Sequence, residues 1–214
     1  MSAIFHAGIS GARGRMGRAV DLVLDAREDV VVAARFDWGE TPDLSLCDVV
    51  IDFSTPEASV ALAGLAAERG GPALVIGSTG FTEDQESEIL AAAEKVAIVR
   101  SGNFSLGVNI LIGLVEHAAQ RLDPRDWDIE VIEAHHRLKV DAPSGTALML
   151  GEAAADGRGV DLSEVRLPPY DGITGEREPG KIGFASIRAG GIVGDHSVLF
   201  ASSAETLTLS HSDR

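Results

Sequence analysis

The chain has 214 residues, 45% hydrophobic and 24% charged, enough for one large domain or two small ones. Eighteen Lys and Arg stand against 33 Asp and Glu, and the formal charge of −15 repels nucleic-acid phosphates and anionic lipid, which turns the reading away from both as partners. Cys47 is the single cysteine and residues 1–8 lack the basic start and long apolar core of a signal peptide, so the sequence predicts a disulfide-free cytoplasmic enzyme or binding protein.

Short apolar runs rich in β-branched residues predict buried strands over 3–7, 30–34, 49–53, 73–76 and 96–99. Amphipathic, Ala-rich stretches over 17–26, 56–69 and 83–95 predict helices between several of them, and strands alternating with helices imply a parallel sheet. Thr55 before Pro56 is an N-cap with proline at the first helical position, Thr82 with Gln85 spells a capping box, and Gly70-Gly71-Pro72 closes the second helix. The texture changes near residue 105. The longest apolar run, 106–115, includes Asn109 and falls far short of the ~20 residues of a membrane span. It opens a helix over 106–121 that Asp123-Pro124 stops. A strand over 128–134 and a helix over 145–155 follow, then strands over 182–189, 197–201 and 205–210 without helices between them, which predicts an antiparallel or mixed sheet. The expected fold class is therefore α/β, with a parallel sheet in residues 1–105 and an α+β mixed sheet in residues 106–214.

The first predicted strand runs into Gly8-Ile9-Ser10-Gly11-Ala12-Arg13-Gly14-Arg15-Met16-Gly17 and then a helix. Glycines there permit a tight turn and bring backbone N–H groups and a helix N-terminus up to a pyrophosphate. The spacing is a G-x-x-G-x-x-G variant, which also fits simple close packing. Arg13 and Arg15 stand where phosphate would lie, or are merely exposed on a helix end. Asp37 follows the second strand, twenty residues after Gly17, where an acid accepts hydrogen bonds from an adenosine ribose. Trp38 beside it either stacks on adenine or covers the sheet edge. Later strand ends carry Phe53-Ser54-Thr55, Gly77-Ser78-Thr79-Gly80 and Ser101-Gly102-Asn103-Phe104, at the carboxyl ends where open α/β sheets hold ligands.

The segment Glu133-Ala134-His135-His136-Arg137-Leu138-Lys139-Val140-Asp141-Ala142-Pro143-Ser144-Gly145-Thr146-Ala147 packs two histidines, an arginine and a lysine into five positions of an acidic protein. A surface loop paired with acidic neighbours is one reading. A zinc site is not, because adjacent histidines lack helical i, i+4 spacing and the remaining histidines are scattered. The chemical reading is that histidine supplies a proton near neutrality and lysine an anion-stabilising charge. Ser144 caps a helix whose Gly145 and Thr146 N–H groups would receive a carboxylate.

This run resembles the signature of the 4-hydroxy-tetrahydrodipicolinate reductase (dihydrodipicolinate reductase) family. The resemblance extends to Gly11–Gly17, Asp52-Phe53-Ser54, Gly77-Ser78-Thr79-Gly80-Phe81, Asn103-Phe104-Ser105 with Gly107-Val108-Asn109, Gly183-Phe184, Arg188-Ala189-Gly190 and Val193-Gly194. It implies a Rossmann-type dinucleotide domain and a second domain that binds a small dicarboxylate and assembles a homotetramer. The implied reaction is NAD(P)H-dependent reduction of 4-hydroxy-tetrahydrodipicolinate, on the diaminopimelate route to lysine.

By resemblance His135 is the proton donor and acceptor and Lys139 a second proton donor, while His136, Ser144, Gly145 and Thr146 form the substrate site. Gly11, Ala12, Arg13, Gly14, Arg15, Met16, Asp37, Gly77, Ser78, Thr79, Ser101, Gly102, Asn103 and Phe104 form the dinucleotide site, with no metal. Trp38 stands where many members carry a basic residue, and Asp37 disfavours a 2′-phosphate, so NADH is expected to serve at least as well as NADPH; Arg13, Arg15 and Arg35 pull the other way. Family members continue past the equivalent of Arg214 with a helical segment that returns to the nucleotide domain, so the resemblance implies either a truncated or incompletely represented chain or a real deletion. A dehydrogenase of another small acid and a catalytically silent nucleotide sensor are the alternatives. The sensor has no need of a proton donor, and other dehydrogenases lack a match to the 133–147 run.

Overall fold

Residues 4–214 are described by the computed structural model, and their contacts divide the chain into two units, Met1–Gly102 and Asn103–Arg214, each around its own core. In the first unit, β1 (Phe5–Ser10), β2 (Val30–Phe36), β3 (Val49–Asp52), β4 (Ala73–Ile76) and β5 (Ile98–Arg100) form one parallel sheet in the order β2-β1-β3-β4-β5. Helix α1 (Arg15–Asp25) links β1 to β2, α2 (Pro56–Arg69) links β3 to β4 and α3 (Glu83–Ala93) links β4 to β5. The strand order reverses between β1 and β3. Right-handed crossovers therefore send α1 to one face and α2 and α3 to the other, and open a crevice at the carboxyl ends of the reversing strands.

Several boundaries moved from the sequence expectation for local reasons. Strand β1 lies over Phe5–Ser10 rather than 3–7, and Ala3 lies outside the described residues. Its ladder continues through Gly8, where a Cβ would meet Val50 Cγ2 at 3.0 Å and Cys47 Sγ at 3.1 Å, so the bare backbone lets β3 lie close. Helix α1 starts at Arg15 rather than residue 17, because Gly14 is extended (ψ 170°) and stands as its N-cap. Strand β5 begins at Ile98 rather than residue 96, since the N–H groups of Lys95 and Val96 both still turn back to the carbonyl of Ala92. The Thr55 cap and the Thr82–Gln85 capping box both formed. A 3₁₀ turn, Leu44–Leu46, lies between β2 and β3 and has no counterpart in the sequence expectation.

The second unit carries α4 (Leu106–Arg121), β6 (Asp128–His135), α5 (Gly145–Arg158), a short α6 (Leu162–Val165), β7 (Ile182–Arg188), β8 (Asp195–Ala201) and β9 (Thr206–Ser212). Its sheet is mixed, in the order β7-β6-β8-β9: β6 and β7 run parallel, the other pairs antiparallel. Every second residue of β6 and β8 is buried, and Ile129, Val131, Val198 and Phe200 pack there with Leu111 and Val115 of α4 and Ala147 and Leu150 of α5. Helices α4 and α5 meet backbone to backbone at Gly157, where a Cβ would fall 2.3 Å from the Glu116 carbonyl oxygen. No helix among the described residues is long and apolar enough to cross a membrane.

Candidate active site

The first-unit site is built on the glycine turn. Gly11 has φ +73°, and a Cβ there would lie 2.7 Å from the Phe53 carbonyl oxygen; one on Gly17 would lie 2.1 Å from that of Gly11. Both positions need glycine, one for conformation and one for space. Helices α2, α3, α4 and α5 are each capped by a Thr or Ser side chain, whereas α1 begins at Gly14 with no side-chain cap and no acid in its first turn. Arg15 opens that turn, exposed, with its charge against the positive end of the helix dipole. An anion over Gly14 and Arg15 reverses that penalty, so the turn fits a dinucleotide pyrophosphate. Ala12 is half-buried and Met16 is exposed on the first helical turn.

Around Asp37 the charges are already paired. Asp37 accepts from the Arg13 backbone N–H at 3.3–3.4 Å and faces the Arg13 guanidinium at 3.5 Å. Arg13 in turn donates to Glu40 at 2.6 Å, and the second Glu40 oxygen accepts from the Asp37 N–H at 3.0 Å. Arg35, a candidate cation for a 2′-phosphate, is turned instead to Asp21 and Asp25 of α1, at 2.7 and 3.3 Å. Trp38 is exposed, and with Asp37, Gly39, Glu40, Thr41 and Pro42 it lines a cavity of about 210 Å³ against α2. Glu40, at the end of the exposed run Trp38-Gly39-Glu40, carries no local sequence signal until the fold closes the loop onto Arg13.

The other strand ends in this unit gather at the same edge of the sheet. Gly77 lets the Phe53 ring lie across the end of β4, where a Cβ would be 2.1 Å from it. Ser78 is buried and its hydroxyl donates to Ser59 Oγ at 2.9 Å, while the single Ser59 hydroxyl proton goes to the buried Asp52. Its hydroxyl is thus spent on the interior, leaving the exposed Thr79 to face outward from that turn. Ser101 and the exposed Gly102 follow β5.

In the second unit the sheet register assembles the polar centre. Along β6 the inward alternation that buries Ile129 and Val131 continues to Glu133 and His135. Across the strands Glu133 pairs with Ser186 of β7 and His196 of β8, His196 pairs with His211 of β9, and His135 pairs with Arg188. His135 Nδ1 lies 2.5 Å from Glu133, whose two oxygens receive a forked pair of hydrogen bonds from Arg188 at 2.7 and 2.8 Å. Burial pushes the Glu133 carboxyl up, but hydrogen bonds from Arg188, Ser186 and His135 outweigh it and hold it down at about 2. An ionised carboxylate only accepts, so Nδ1 carries the proton and Nε2 is the nitrogen left to exchange one.

His196 stacks edge-on against His135, ring centroids 5.0 Å apart. Burial first, then the neighbouring His135, push its imidazole down to about 4, so it is neutral near pH 7. Its Nε2 shares a 3.1 Å hydrogen bond with Ser144 Oγ, which also accepts from Ala147 N–H and caps α5. Beyond that cap Gly145 is exposed at the helix N-terminus, and the Thr146 hydroxyl receives a hydrogen bond from the Asn103 amide at 3.0 Å. Asn103, grouped by sequence with the dinucleotide residues, belongs to the second unit, as does the exposed Phe104. After β6 the chain turns at His136, half-buried, and the Lys139 N–H bonds the His136 carbonyl at 3.1 Å. Lys139 Nζ is paired with Asp141 at 2.9 Å. His135, His136, Lys139 and the Ser144–Thr146 turn are thus gathered in one unit; the structure adds Arg188, His196 and a role for Glu133. Arg188 and His196 lie 53 and 61 residues from His135 along the sequence, and only strand pairing reveals them as neighbours.

A parallel sheet with an anion-ready glycine turn, followed in one chain by a mixed sheet carrying a buried Glu–His–Arg cluster, is the architecture of the two-domain pyridine-nucleotide oxidoreductases. At the level of fold, aspartate semialdehyde dehydrogenase with NADP from Candida albicans aligns with TM-score 0.55 at 13% identity, over 94% of this chain and 71% of that one. Within that class the chain belongs to the dihydrodipicolinate reductase family: residues 5–104 match its N-terminal part and residues 107–214 its C-terminal part. A 4-hydroxy-tetrahydrodipicolinate reductase of Caulobacter vibrioides is 61% identical over 213 residues, 95% of this chain and 83% of the relative. The same-named protein of Rhizobium rhizogenes is 47% identical over 229 residues, with the same coverage. The dipicolinate-bound dihydrodipicolinate reductase of Paenisporosarcina sp. TG-14 aligns with TM-score 0.73 at 26% identity, over 99% of this chain and 88% of that one.

Proposed function

We propose that this chain catalyses the NAD(P)H-dependent reduction of 4-hydroxy-tetrahydrodipicolinate to tetrahydrodipicolinate, in the diaminopimelate route to lysine. The observation that carries the reading is His135, its Nδ1 held by an ionised Glu133, within the same unit as Lys139 and the α5 N-terminus. A reduced nicotinamide, when bound, supplies the hydride. Loss of the 4-hydroxyl as water leaves a ring double bond conjugated with the imine; hydride added at that ring carbon gives an enamine-like anion that must be protonated, so one hydride and one proton enter as one water leaves. His135 donates that proton from Nε2, and Lys139 steadies the negative charge and serves as a second donor. His136, Ser144, Gly145 and Thr146 orient the two carboxylates, with the N–H groups of Gly145 and Thr146 as the receiving end.

The dinucleotide is held by Gly11, Ala12, Arg13, Gly14, Arg15 and Met16, by Gly77, the backbone of Ser78 and Thr79, and by Ser101 to Phe104. Asp37 takes the adenosine ribose. NADH serves at least as well as NADPH, a reading supported by the pairing of Arg13 with Glu40 and of Arg35 with Asp21, which leaves a 2′-phosphate beside Asp37 and Glu40 with little uncompensated positive charge. The enzyme works in the cytoplasm as a homotetramer. A coupled assay with freshly generated substrate, following NADH and NADPH oxidation, tests the activity. Absence of substrate-dependent oxidation of either cofactor would refute it, and light scattering of the purified protein tests the tetramer.

A further inference from the structure

We propose that Arg188 and Glu133 are positioning residues that act as one clamp, locking the proton-exchanging nitrogen of His135 and the loop of Lys139 together. This deepens the reductase reading and rests on it. Three observations converge. The Arg188 fork occupies both Glu133 oxygens, so the carboxylate cannot rotate away from His135 Nδ1. The same guanidinium nitrogen that holds one Glu133 oxygen also donates to the Asp141 carbonyl at 2.6 Å. Asp141 is the residue whose carboxylate pairs with Lys139. One guanidinium therefore ties the end of β6 to the turn after it, and a planar five-donor group is the only side chain that can serve both at once.

The surroundings define what the clamp must accomplish. His135 is faced by His196 from β8, and Gly194 borders its other nitrogen: a Cβ there would lie 3.2 Å from His135 Nε2 and 3.0 Å from an Asp213 oxygen. His211 flanks Asp213, with Nδ1 3.8 Å from its carboxylate. Among the described residues Glu133 is thus the carboxylate in ion-pair contact with this imidazole. A ring free to flip or to change tautomer would place a bare nitrogen toward Glu133. With Glu133 clamped and ionised, the proton on Nδ1 is fixed and Nε2 alone gains and loses one.

The experiment uses full-length protein labelled with ¹⁵N-histidine, in wild type, Arg188→Met, Arg188→Lys and Glu133→Gln forms. Four quantities are measured: kcat, KM, dipicolinate affinity by calorimetry, and the His135 tautomer from long-range ¹⁵N couplings. In wild type neutral His135 is expected as a single tautomer with its proton on Nδ1. Arg188→Met is expected to lower kcat by about 10–100-fold, the usual cost of losing an orienting partner. It should shift dipicolinate affinity by less than about threefold and give a mixed tautomer; Arg188→Lys, which keeps the charge without the fork, should recover part of kcat. Full kcat in Arg188→Met, a loss matched by equally weakened dipicolinate binding, or an unchanged single tautomer overturns the clamp. If Arg188→Met does not fold, wild-type kcat in both Arg188→Lys and Glu133→Gln overturns it. A wild-type enzyme inactive on the substrate overturns the reductase reading instead, while the tautomer measurement still judges the clamp.

Discussion

Ser144 Oγ lies 3.1 Å from His196 Nε2, so the residue that caps α5 is held by a buried histidine from the middle of the mixed sheet. That contact joins the helix end that would receive a carboxylate to the ring that stacks on His135. It also makes the fold of the second unit sensitive to acid.

His196 is depressed from 6.5 to about 4 in the folded protein, so its stabilising contribution is complete above 6.5 and is lost as pH falls through 4. Glu133 is depressed from 4.5 to about 2, and its contribution fades in a lower window, from 4.5 down to 2. Each spans at most about 3 kcal/mol at 1.36 kcal/mol per pH unit. The melting temperature should fall in two stages between pH 6.5 and pH 2, and His196→Asn should remove the upper stage while keeping the lower. A melting temperature flat from pH 6.5 to 4 in wild type would contradict the buried, neutral His196.

Replacing His135 with Gln preserves size and some hydrogen bonding but ends proton exchange. Turnover should drop by about 10²–10⁴-fold, with NADH affinity by fluorescence titration unchanged. Near-wild-type turnover would make His135 a structural residue only.

A planar pyridine dicarboxylate presents both carboxylates and the ring of the substrate to the turn at Ser144–Thr146. It should inhibit competitively with substrate. Lys139→Ala should weaken that inhibition by roughly tenfold, the worth of about 1.4 kcal/mol for one charge-assisted contact. Inhibition that ignores Lys139→Ala, or none at all, would move the dicarboxylate elsewhere.

Cofactor choice should respond to the acids that occupy the arginines. Glu40→Gln frees Arg13, and Asp37→Ala removes the carboxylate nearest a 2′-phosphate; each should shift the ratio of kcat/KM values toward NADPH by roughly tenfold at low ionic strength, less at high salt. The assay is the two-cofactor comparison at fixed substrate. A wild-type enzyme that clearly prefers NADPH, or variants with an unmoved ratio, would assign the ribose to other residues.

Much of this molecule could be read from local chemistry. Thr55-Pro56 and Thr82 with Gln85 mark their helix starts because a cap is a property of four consecutive residues. The β-branched runs become strands because alternation of burial is a local pattern, and the glycine turn announces itself through residues that tolerate no Cβ. The run from Glu133 to Ala147 likewise carries its histidines, lysine and helix cap within fifteen residues.

What only the tertiary structure decided is which charges are spent and which side chains meet. Arg35 looked available to a phosphate until α1 brought Asp21 and Asp25 against it, and Glu40 was silent until the loop after β2 folded onto Arg13. Ser78 stood in a ligand-like turn, yet its hydroxyl is turned inward to Ser59. Arg188 and His196 reach Glu133 and His135 through the register of β7 and β8 on β6, across more than fifty residues of chain. Sequence carries propensity, which is short-ranged; strand register and charge pairing arise when distant segments close on one another, and the partner of a buried charge is settled by that closure.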